Sequence, residues 1–546
     1  YDSTTESSIY RVNDSTVVGY RYSAGWANVQ RVYFAARTSM PFRQIRTWNV
    51  SHFKGHKGTK GNVVNGELQF NDLDGKPLLM KVALSSVNTD KALEALNEVR
   101  DFDFKQVYKA NNRQWSAEMN KIAVKSSDDR LKRIFYTALY HTCMAPVIYS
   151  DKDGYYKNAK GETRKMNNGQ RYTVFSLWDT FRGLNPLFTL TQPIRNADIL
   201  NSMLAFYDEN GLLPVWDLST WETGCMSGYH AVPVLADAVL KGTPGLDAER
   251  AYKAMRASAF QSIRGSKDYV KYGYLPQDKG GHSVTVTVEY AYDDWCIAQV
   301  AKKLGKIDDY NLFMKRSQAY RQLFHKTTGF IRGKNADGTW AEPFDPLLTS
   351  TEWKSMYEEG NAWQYTFFVP HDIRGLAEQF GTYNKFLLKL DSLFTISSSV
   401  KGESAPPDVS GLIGQYAHGN EPSHHIAYMY TYLGQAWKTQ KLVRTIMDSM
   451  YHDRPDGYAG NEDCGQMSAW AVWSMMGLYP ANPASGEYVF GSPMFDLVTL
   501  QLPNRMSFKI ATHNNGPDHP YIQGVWLNGV PYTKTYITHE ALMRGG

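Results

Sequence analysis

Two periodicities of apolar and polar side chains divide this chain. Segments in residues 1–90, such as "STVVGYRY", "QRVYFAARTS" and "PLLMKVALSS", alternate the two kinds or carry β-branched residues, and Gly, Asn and Asp lie between them. A period of two is typical of strands that bury one face. We therefore predict an N-terminal β-sandwich over residues 1–90.

The period changes to about 3.6 residues at "NTDKALEALNEVRDFDFKQVYK", which is typical of an amphipathic helix. Asn88, Thr89 and Asp90 offer N-caps there, so residues 91–125 are predicted as a helical linker. Apolar helical segments recur over residues 126–482, and many end in Gly. Their short connections favour antiparallel helix pairs. A ring of such pairs, an (α/α) barrel, is one packing that would bring many loops to one rim.

Strand patterns return after residue 482, in "EYVFGSP", "FDLVTLQL" and "SFKIATHN". The tetrapeptide "LNGV" is a hairpin signal. We predict that residues 483–546 form C-terminal β segments that pack near the barrel or the sandwich.

Composition narrows the class of protein. A length of 546 residues indicates more than one domain. The net charge of +5 is dispersed without a basic run, which argues against nucleic acid as a partner. No apolar stretch approaches the roughly 18 residues of a membrane span. The chain opens on polar "YDSTTESS" without a signal peptide, so we expect a mature or trimmed product.

The four cysteines, Cys143, Cys225, Cys296 and Cys464, are far apart in the sequence and form no CxxC. A disulfide scaffold and a zinc site are therefore not expected, and buried thiols are. The 36 Tyr and 14 Trp residues suit large cores, and also flat amphipathic ligands such as sugars.

Five stretches outside the apolar helices concentrate candidate chemistry: "SLWDTFRGLNP", "LPVWDLSTWETGCMSGYHA", "YEEGNAWQYTFFVPHD", "HGNEPSHH" and "GNEDCGQMSAW". Each couples a carboxylate with Trp or Tyr, or with Asn, Gln or His. In a sugar site a ring covers an apolar face of the sugar, and carboxylates accept hydrogen bonds from its hydroxyls. Oxygen-rich loops of this kind also suit calcium, although no EF-hand spacing is present.

Structural alternatives stay open for several of these carboxylates. Asp179 could be only an N-cap with Thr180, and Glu222 could cap the helix that follows "SGYHA". Glu462 and Asp463 stand where a helix N-terminus favours negative charge. Glu359 differs because "EEG" places two acids side by side, and one with a raised pKa could donate a proton.

The absence of several well-known catalytic motifs narrows the class of reaction. The chain has no GxSxG elbow, no P-loop and no HExxH. Paired carboxylates on rim loops remain, and glycoside hydrolysis needs such a pair.

In this order the motifs "WDTFRGLNPLFTL", "ETGCMSGYHA", "EGNAWQYTFFVPHD", "GNEPSHHIAYMY" and "GNEDCGQMSAWAVWSMMGLYP" closely resemble glycoside hydrolase family 92. The resemblance runs from about residue 15 to the C-terminus. It implies an exo-acting, calcium-dependent, inverting α-mannosidase of terminal α-mannosides. It also implies an N-terminal β-sandwich joined by helices to an (α/α)6 barrel. The family's first domain usually starts earlier than this chain does, so we expect trimming at the start.

The resemblance assigns roles by position. Glu359 matches the general acid, and Asp463 matches the general base. Asp463 and Asn461 are the expected calcium ligands. The expected contacts with the mannose are Trp178, Asp179, Glu222, Cys225, Trp363, Gln364, Asn420 and Glu421.

Two departures from the family pattern sharpen the prediction. Asn420-Glu421 stands where α-1,2-cleaving members often have His-Glu, which argues against that linkage. Asn461 stands where some members have Asp, so Asp463 would act more nearly alone. The partner implied is a mannose-containing glycan such as an N-glycan, and the place of action is periplasmic or extracellular. Another (α/α)-barrel exo-glycosidase and a non-catalytic mannose-binding protein remain as alternatives.

Overall fold

The computed structural model describes residues 2–49, 52–53, 58–402 and 404–546. Packing divides the chain into two compact units that interleave along the sequence. The first comprises Tyr1–Glu118, Pro146–Phe175 and Trp216–Gly224, and the second comprises Met119–Ala145, Ser176–Val215 and Cys225–Gly546. The domain boundaries predicted after residues 90, 125 and 482 stay predictions.

Two antiparallel sheets make up most of the first unit. The larger has five strands in the order Gly58–Gly61, Ser3–Asn13, Thr16–Ala24, Gln30–Thr38 and Met80–Ser85. The smaller has three strands in the order His52–Phe53, Phe42–Asn49 and Val64–Phe70. These strands carry the alternating segments of the sequence, so the predicted β-rich N-terminal region is confirmed.

Alternation along two paired strands builds two cores in this unit. Val17 lies opposite Ala36, and the next pair is Val18 and Ala35. Val17 and Ala36 pack with Ile45 of the smaller sheet, whereas Val18 and Ala35 pack on the opposite face against helical residues 92 and 96. Because successive side chains of a strand point to opposite faces, the larger sheet has apolar cover on both faces here.

The predicted linker contains two helices rather than one. They are Thr89–Ala95 and Phe104–Met119, and a short 3-10 turn lies between them. Asn88 caps the first, because its side-chain oxygen accepts a hydrogen bond from the N–H of Lys91 at 2.8 Å. The remaining short strands of this unit are Val147–Ile148, Tyr155–Lys157, Thr163–Lys165, Tyr172–Thr173, Trp216–Leu218 and Trp221–Glu222.

Helices dominate the second unit up to residue 476. The longer ones are Asp129–His141, Leu184–Thr191, Pro193–Asn210, Ala231–Lys241, Ala248–Ala259, Ser283–Lys303, Ile307–Arg316, Tyr383–Thr395, Ala436–Met450 and Gln466–Met476. Shorter ones are Leu177–Thr180, Ser266–Tyr272, Tyr320–Leu323, Ala362–Tyr365, Ile373–Gln379, Met429–Tyr432 and His539–Met543. Some consecutive helices are joined by short turns, such as Ser283–Lys303 and Ile307–Arg316, whereas others are separated by long segments, such as the one between Leu323 and Ala362. Within the described ranges, no helix combines the length and the apolar character that crossing a bilayer requires.

Two helices of this unit are buried almost completely. All residues of Gln466–Met476 are buried, and the helix ends at Gly477, whose φ of 85° is the left-handed conformation of a helix stop. Ser283–Lys303 begins with the β-branched run "SVTVTV", which in isolation favours a strand. Burial on all sides outweighs that preference here, because intrinsic propensity is a weak bias beside packing.

The C-terminal strands belong to the second unit. Leu497–Gln501 pairs with Ser507–Ala511 on one side and with Ile122–Lys125 on the other. Leu478–Tyr479, Glu487–Phe490 and Tyr536–Thr538 form another sheet, and Trp526–Leu527 pairs with Val530–Pro531 at the predicted "LNGV" turn. The shorter paired strands are Phe324–His325 with Phe330–Ile331, and Leu412–Ile413 with Tyr416–Ala417. The predicted return of strand structure after residue 482 is therefore confirmed.

The four cysteines all lie in the described ranges, and they form no disulfide there. Cys296 is fully buried, as expected, whereas Cys143, Cys225 and Cys464 are partly exposed.

Candidate active site

Three carboxylates from three of the predicted loops meet in the second unit. Each of Asp179, Glu421 and Asp463 has an oxygen within 4.8 Å of the others. Asp179 and Glu421 are buried, at 5% and 0% exposure, and Asp463 is half-buried. We call these three residues the acidic group. Chain positions 179 and 463 are far apart in sequence, so only the tertiary fold joins them.

A single helical turn, Leu177–Thr180, positions Asp179. Ser176 is its N-cap residue, and the Ser176 hydroxyl donates a hydrogen bond to the Asp179 carboxylate. Asp179 lies inside the turn, so the N-cap alternative for this residue is wrong. The side chain of the neighbouring Trp178 is held in place, because its indole N–H donates to Oε1 of Glu289 at 2.7 Å.

The loop before the buried helix Gln466–Met476 divides its acids between two tasks. Glu462 accepts hydrogen bonds from the backbone N–H of Ser468 at 3.2 Å and from its hydroxyl at 2.8 Å. This contact satisfies an N–H of the first helical turn, as capping requires. Asp463 has a φ of 46°, and it belongs to the acidic group instead. The capping alternative therefore holds for Glu462.

Glu359 stands at a second conformationally restricted position, with a φ of 40°. The helix that follows is fixed by a capping box between Asn361 and Gln364. The side-chain amide of Asn420 donates to the backbone carbonyl of Glu359 at 2.9 Å and to Oε2 at 3.3 Å. Asn420 thus contacts the predicted acid directly.

Burial is the largest influence on the Glu359 carboxyl, and it raises the pKa to about 7 together with the negative charges of Asp408, Glu358 and Asp463. The Asn420 hydrogen bond favours the ionised form and opposes that shift only in part. Glu359 therefore keeps its proton at mildly acidic pH, where an ordinary glutamic acid would have lost it.

Like charge and burial act together within the acidic group. Burial raises the pKa of Asp179 and of Glu421, and the neighbouring carboxylates add to the effect. The buried guanidinium of Arg182 acts in the opposite sense on both. Burial also raises the pKa of Asp463 to about 6, although the Glu421 carboxyl, which is close enough to share a proton with it, limits the shift.

The acidic group has the chemistry of a metal site. Neither carboxylate oxygen of Glu421 has a hydrogen-bond donor among the described residues, and both are buried. A buried carboxylate without donors requires either a proton or a cation. With Arg182 included, the ionised group carries two net negative charges. A divalent cation that prefers oxygen ligands therefore matches both the donor set and the charge.

The structure places the predicted contact Cys225 near Glu359, and it pairs Asn461, a predicted calcium ligand, with Asp408. Burial raises the pKa of the Cys225 thiol to about 11, and the charges of Glu359 and Glu358 contribute, so Cys225 lies near the acid. The amide of Asn461 donates to Oδ1 of Asp408 at 2.6 Å.

The other predicted contacts have different partners. Glu222 lies in the first unit, where its carboxylate accepts hydrogen bonds from the backbone N–H groups of residues 216 and 224 at 3.1 and 2.9 Å. Helix Ala231–Lys241 has His230 at its N-cap, so Glu222 does not cap it. The Trp363 ring packs against Phe330 with a centroid distance of 4.9 Å.

The side chain of Gln364 forms hydrogen bonds with backbone groups. Its side-chain oxygen accepts from the N–H of Asn361 at 2.7 Å, and its amide donates to the carbonyl of Gln415 at 2.6 Å. These bonds fix the loop that carries Glu359. Contacts of Trp363 and Gln364 with a ligand stay predictions.

Sequence reasoning missed Arg182, Glu289 and Asp408. Arg182 lies inside the recognised "WDTFRGL" motif, which was a usable signal. Asp408 follows two prolines in a loop outside the five motifs, and Glu289 follows a β-branched run. No local pattern distinguishes these two from ordinary surface acids.

Comparison with known proteins identifies the family. The model of the glycosyl hydrolase family 92 N-terminal domain matches residues 1–85, and that of the family 92 catalytic domain matches residues 91–546. A curated protein from Arthroderma benhamiae, described as an uncharacterized secreted glycosidase, is 29% identical over 514 residues. The alignment covers 85% of this chain but only 59% of that relative.

Solved structures of family 92 enzymes share the fold. An α-mannosidase from Bacteroides thetaiotaomicron, in complex with mannoimidazole, has a TM-score of 0.94 at 38% identity, and the match covers 100% of this chain and 73% of that one. An inverting mannosidase from the same organism has a TM-score of 0.90 at 34% identity, with 100% and 76% covered. The predicted fold class is thereby confirmed.

Trp178, Glu289, His230 and Asp293 form a buried chain of polar contacts. This chain leads to a prediction about stability. Burial alone would lower the pKa of His230, but Asp293, with Nδ1–Oδ1 at 2.8 Å, and Glu289 outweigh burial and raise it to about 9. Glu289→Leu would leave the Trp178 N–H and the His230 cation without this acceptor. Because breaking a buried pair is costly, we expect a loss of about 3–5 kcal/mol in the free energy of unfolding.

Glu289→Gln keeps an acceptor for the indole, so its loss should be smaller. Urea unfolding followed by tryptophan fluorescence measures both variants. The exposed Glu378 provides the matched control, with Glu378→Leu expected within about 0.5 kcal/mol of the parent protein. Equal stability of Glu289→Leu and Glu378→Leu would show that the buried chain is unimportant.

Proposed function

The chain belongs to glycoside hydrolase family 92, and we propose that it is an exo-acting α-mannosidase. In this proposal it releases the terminal mannose of a glycan with inversion, outside the cytoplasm, in the periplasm or as a secreted protein. The observation that carries the proposal is Glu359, a carboxyl group that keeps its proton to about pH 7, in the same unit as the acidic group. Known relatives named as α-mannosidases support the choice of sugar.

Each carboxyl group has a separate task in the proposed reaction. Glu359 donates its proton to the glycosidic oxygen, so the leaving sugar departs as a neutral alcohol. Asp463 accepts a proton from the water that attacks the anomeric carbon from the opposite face. Inversion by an acid and a base requires room for that water between the carboxyl groups. Asn420 orients Glu359 through its two hydrogen bonds.

Calcium fits the acidic group. Carboxylate oxygens are its preferred ligands, at about 2.3–2.6 Å from the ion, so oxygens within 4.8 Å of each other can share one ion. Asp179, Glu421 and Asp463 would hold it, and Asn461 stays a predicted ligand. When bound, the ion would supply sites for mannose hydroxyls and favour a distorted sugar ring. Ring distortion supplies several kcal/mol in glycosidases.

The products of α-linked mannobioses test the proposal. The protein is incubated with the α-1,2, α-1,3, α-1,4 and α-1,6 isomers in the presence of calcium, and proton NMR follows the products. We expect hydrolysis of at least one isomer, with β-mannose appearing before mutarotation. Initial α-mannose would contradict inversion. Turnover of aryl α-glucosides alone would favour another exo-glycosidase, and mannose binding without turnover a non-catalytic protein.

The pKa of Glu359 predicts where kcat/KM declines on the alkaline side of the pH profile, which we call the alkaline limb. The acid form is active and exists below the pKa, so kcat/KM should fall as the pH rises through about 7. Asp408→Asn removes a negative charge that raises this pKa, and should move the limb to lower pH. Asp456→Asn, at an exposed position, provides the charge-matched control.

Glu359→Gln should remove the limb altogether. We expect kcat to fall by about 10²–10⁴-fold on mannobiose, and by much less on an aryl mannoside whose leaving group needs no proton. Wild-type rates for Glu359→Gln on both substrates would exclude this residue as the acid.

If the acidic group binds calcium, adding calcium to the metal-free protein should give a binding heat and stabilise the fold. After treatment with EDTA, titration calorimetry should detect calcium binding, and saturation at about 100 times Kd should stabilise the fold by about 2.7 kcal/mol. Glu421→Gln removes one charged ligand, so it should weaken binding by about tenfold or more. Asp456→Asn again serves as control. Absence of a binding heat and of any shift in Tm would refute the calcium assignment, independently of activity.

A further inference from the structure

Trp353 is an exposed indole on the loop that precedes Glu359. Its side chain is 71% exposed, whereas Trp178, Trp470 and Trp473 of the same unit are buried. A large apolar ring loses favourable burial when it faces water. Single exposed apolar side chains are common on protein surfaces, so exposure alone does not indicate a ligand, and the position of this ring must carry the argument.

The backbone under this indole is held firmly. The N–H of His282 donates to the carbonyl of Ser355 at 2.7 Å, and the N–H of Val284 donates to the carbonyl of Met356 at 3.0 Å. A Cβ atom at Gly281 would lie 1.9 Å from the carbonyl oxygen of Trp353, so only glycine allows this close approach. The backbone that carries the ring is therefore fixed before any ligand arrives.

A short chain of contacts connects the indole with the proposed acid. The ring of His282 lies 5.7 Å from the ring of Trp353, between centroids. Nδ1 of His282 contacts the carboxylate of Glu358, which also accepts a hydrogen bond from the hydroxyl of Ser227 at 2.9 Å. Glu359 follows Glu358 directly. One layer of side chains thus separates the indole from the residue next to the acid.

Two members of the acidic group are more deeply buried than Glu359, and Trp353 is more exposed than any of these residues. Asp179 and Glu421 are buried, Glu359 is half-buried and Trp353 faces solvent. The acid must reach the glycosidic oxygen, which joins the terminal mannose to the next sugar. If the buried acids hold the terminal mannose, the next sugar lies on the solvent side of Glu359, and Trp353 is an exposed ring connected to that region through His282 and Glu358.

We propose that Trp353 binds the sugar ring from which the terminal mannose is cleaved, by stacking its indole on an apolar face of that ring. The inference rests on the proposed function. It makes Trp353 a determinant of preference for a glycan over a substrate that has no leaving sugar.

The test compares two substrates of the full-length protein with calcium present. One is the mannobiose that the wild type hydrolyses best, and the other is α-mannosyl fluoride, which has no leaving sugar. For Trp353→Ala we expect kcat/KM on mannobiose to fall by about tenfold, mainly through KM, and kcat/KM on the fluoride to stay within about twofold. Trp353→Phe should keep most of the mannobiose activity.

Trp437→Ala, at an exposed tryptophan on helix Ala436–Met450, is the matched control and should change neither value. Equal losses on both substrates, or no loss on either, would overturn the role of Trp353. A change in oligomeric state by light scattering without a change in KM would assign the ring to contacts between copies. Failure of the wild type on both substrates would refute the proposed function instead.

Discussion

Repulsion between buried like charges is the constraint on which the site depends. At an effective dielectric constant of about 20, two carboxylates 4.8 Å apart repel by about 3.5 kcal/mol. Three such pairs approach about 10 kcal/mol, which is comparable with the whole stability of a typical domain. Asp179, Glu421 and Asp463 can therefore coexist only with compensation. Arg182 supplies one positive charge, and protons or a divalent cation must supply the rest.

Backbone conformation holds Glu359 and Asp463 close to other carboxylates, although charge repulsion alone would separate them. Glu359, Asp463 and Cys464 have φ values of 40°, 46° and 56°, a region that side chains with a Cβ enter at a cost of about 1–2 kcal/mol. Rigid neighbours hold both loops. The capping box at residues 361–364 follows Glu359, and Glu462 caps the buried helix after Asp463. Strained positions clustered beside a titratable group are typical of functional sites.

Local patterns predicted the elements better than the contacts between them. Alternation predicted the strands around Val17 and Val18, because it depends on neighbours in sequence. The roles that the motifs give to Asp179, Glu359 and Asp463 stay predictions. The joining of Asp179 with Asp463 depends on helix packing across the unit, which no local pattern records. Helix Ser283–Lys303 shows the same limit, since burial reverses the strand preference of its first residues. Glu289, which supports Trp178 from that helix, was missed for this reason.

The pairing of Asn461 with Asp408 shows how one residue type constrains another. The Asn461 amide donates to a carboxylate oxygen of Asp408 at 2.6 Å. An aspartate at 461 would instead place two carboxylates at hydrogen-bonding distance, where one must be protonated. Asp408 already raises the pKa of Glu359, and a second charge beside it would add to the repulsion. The neutral amide at 461 therefore pairs with an oxygen of Asp408 without adding negative charge near Glu359, so the departure at 461 and the carboxylate at 408 form a single arrangement.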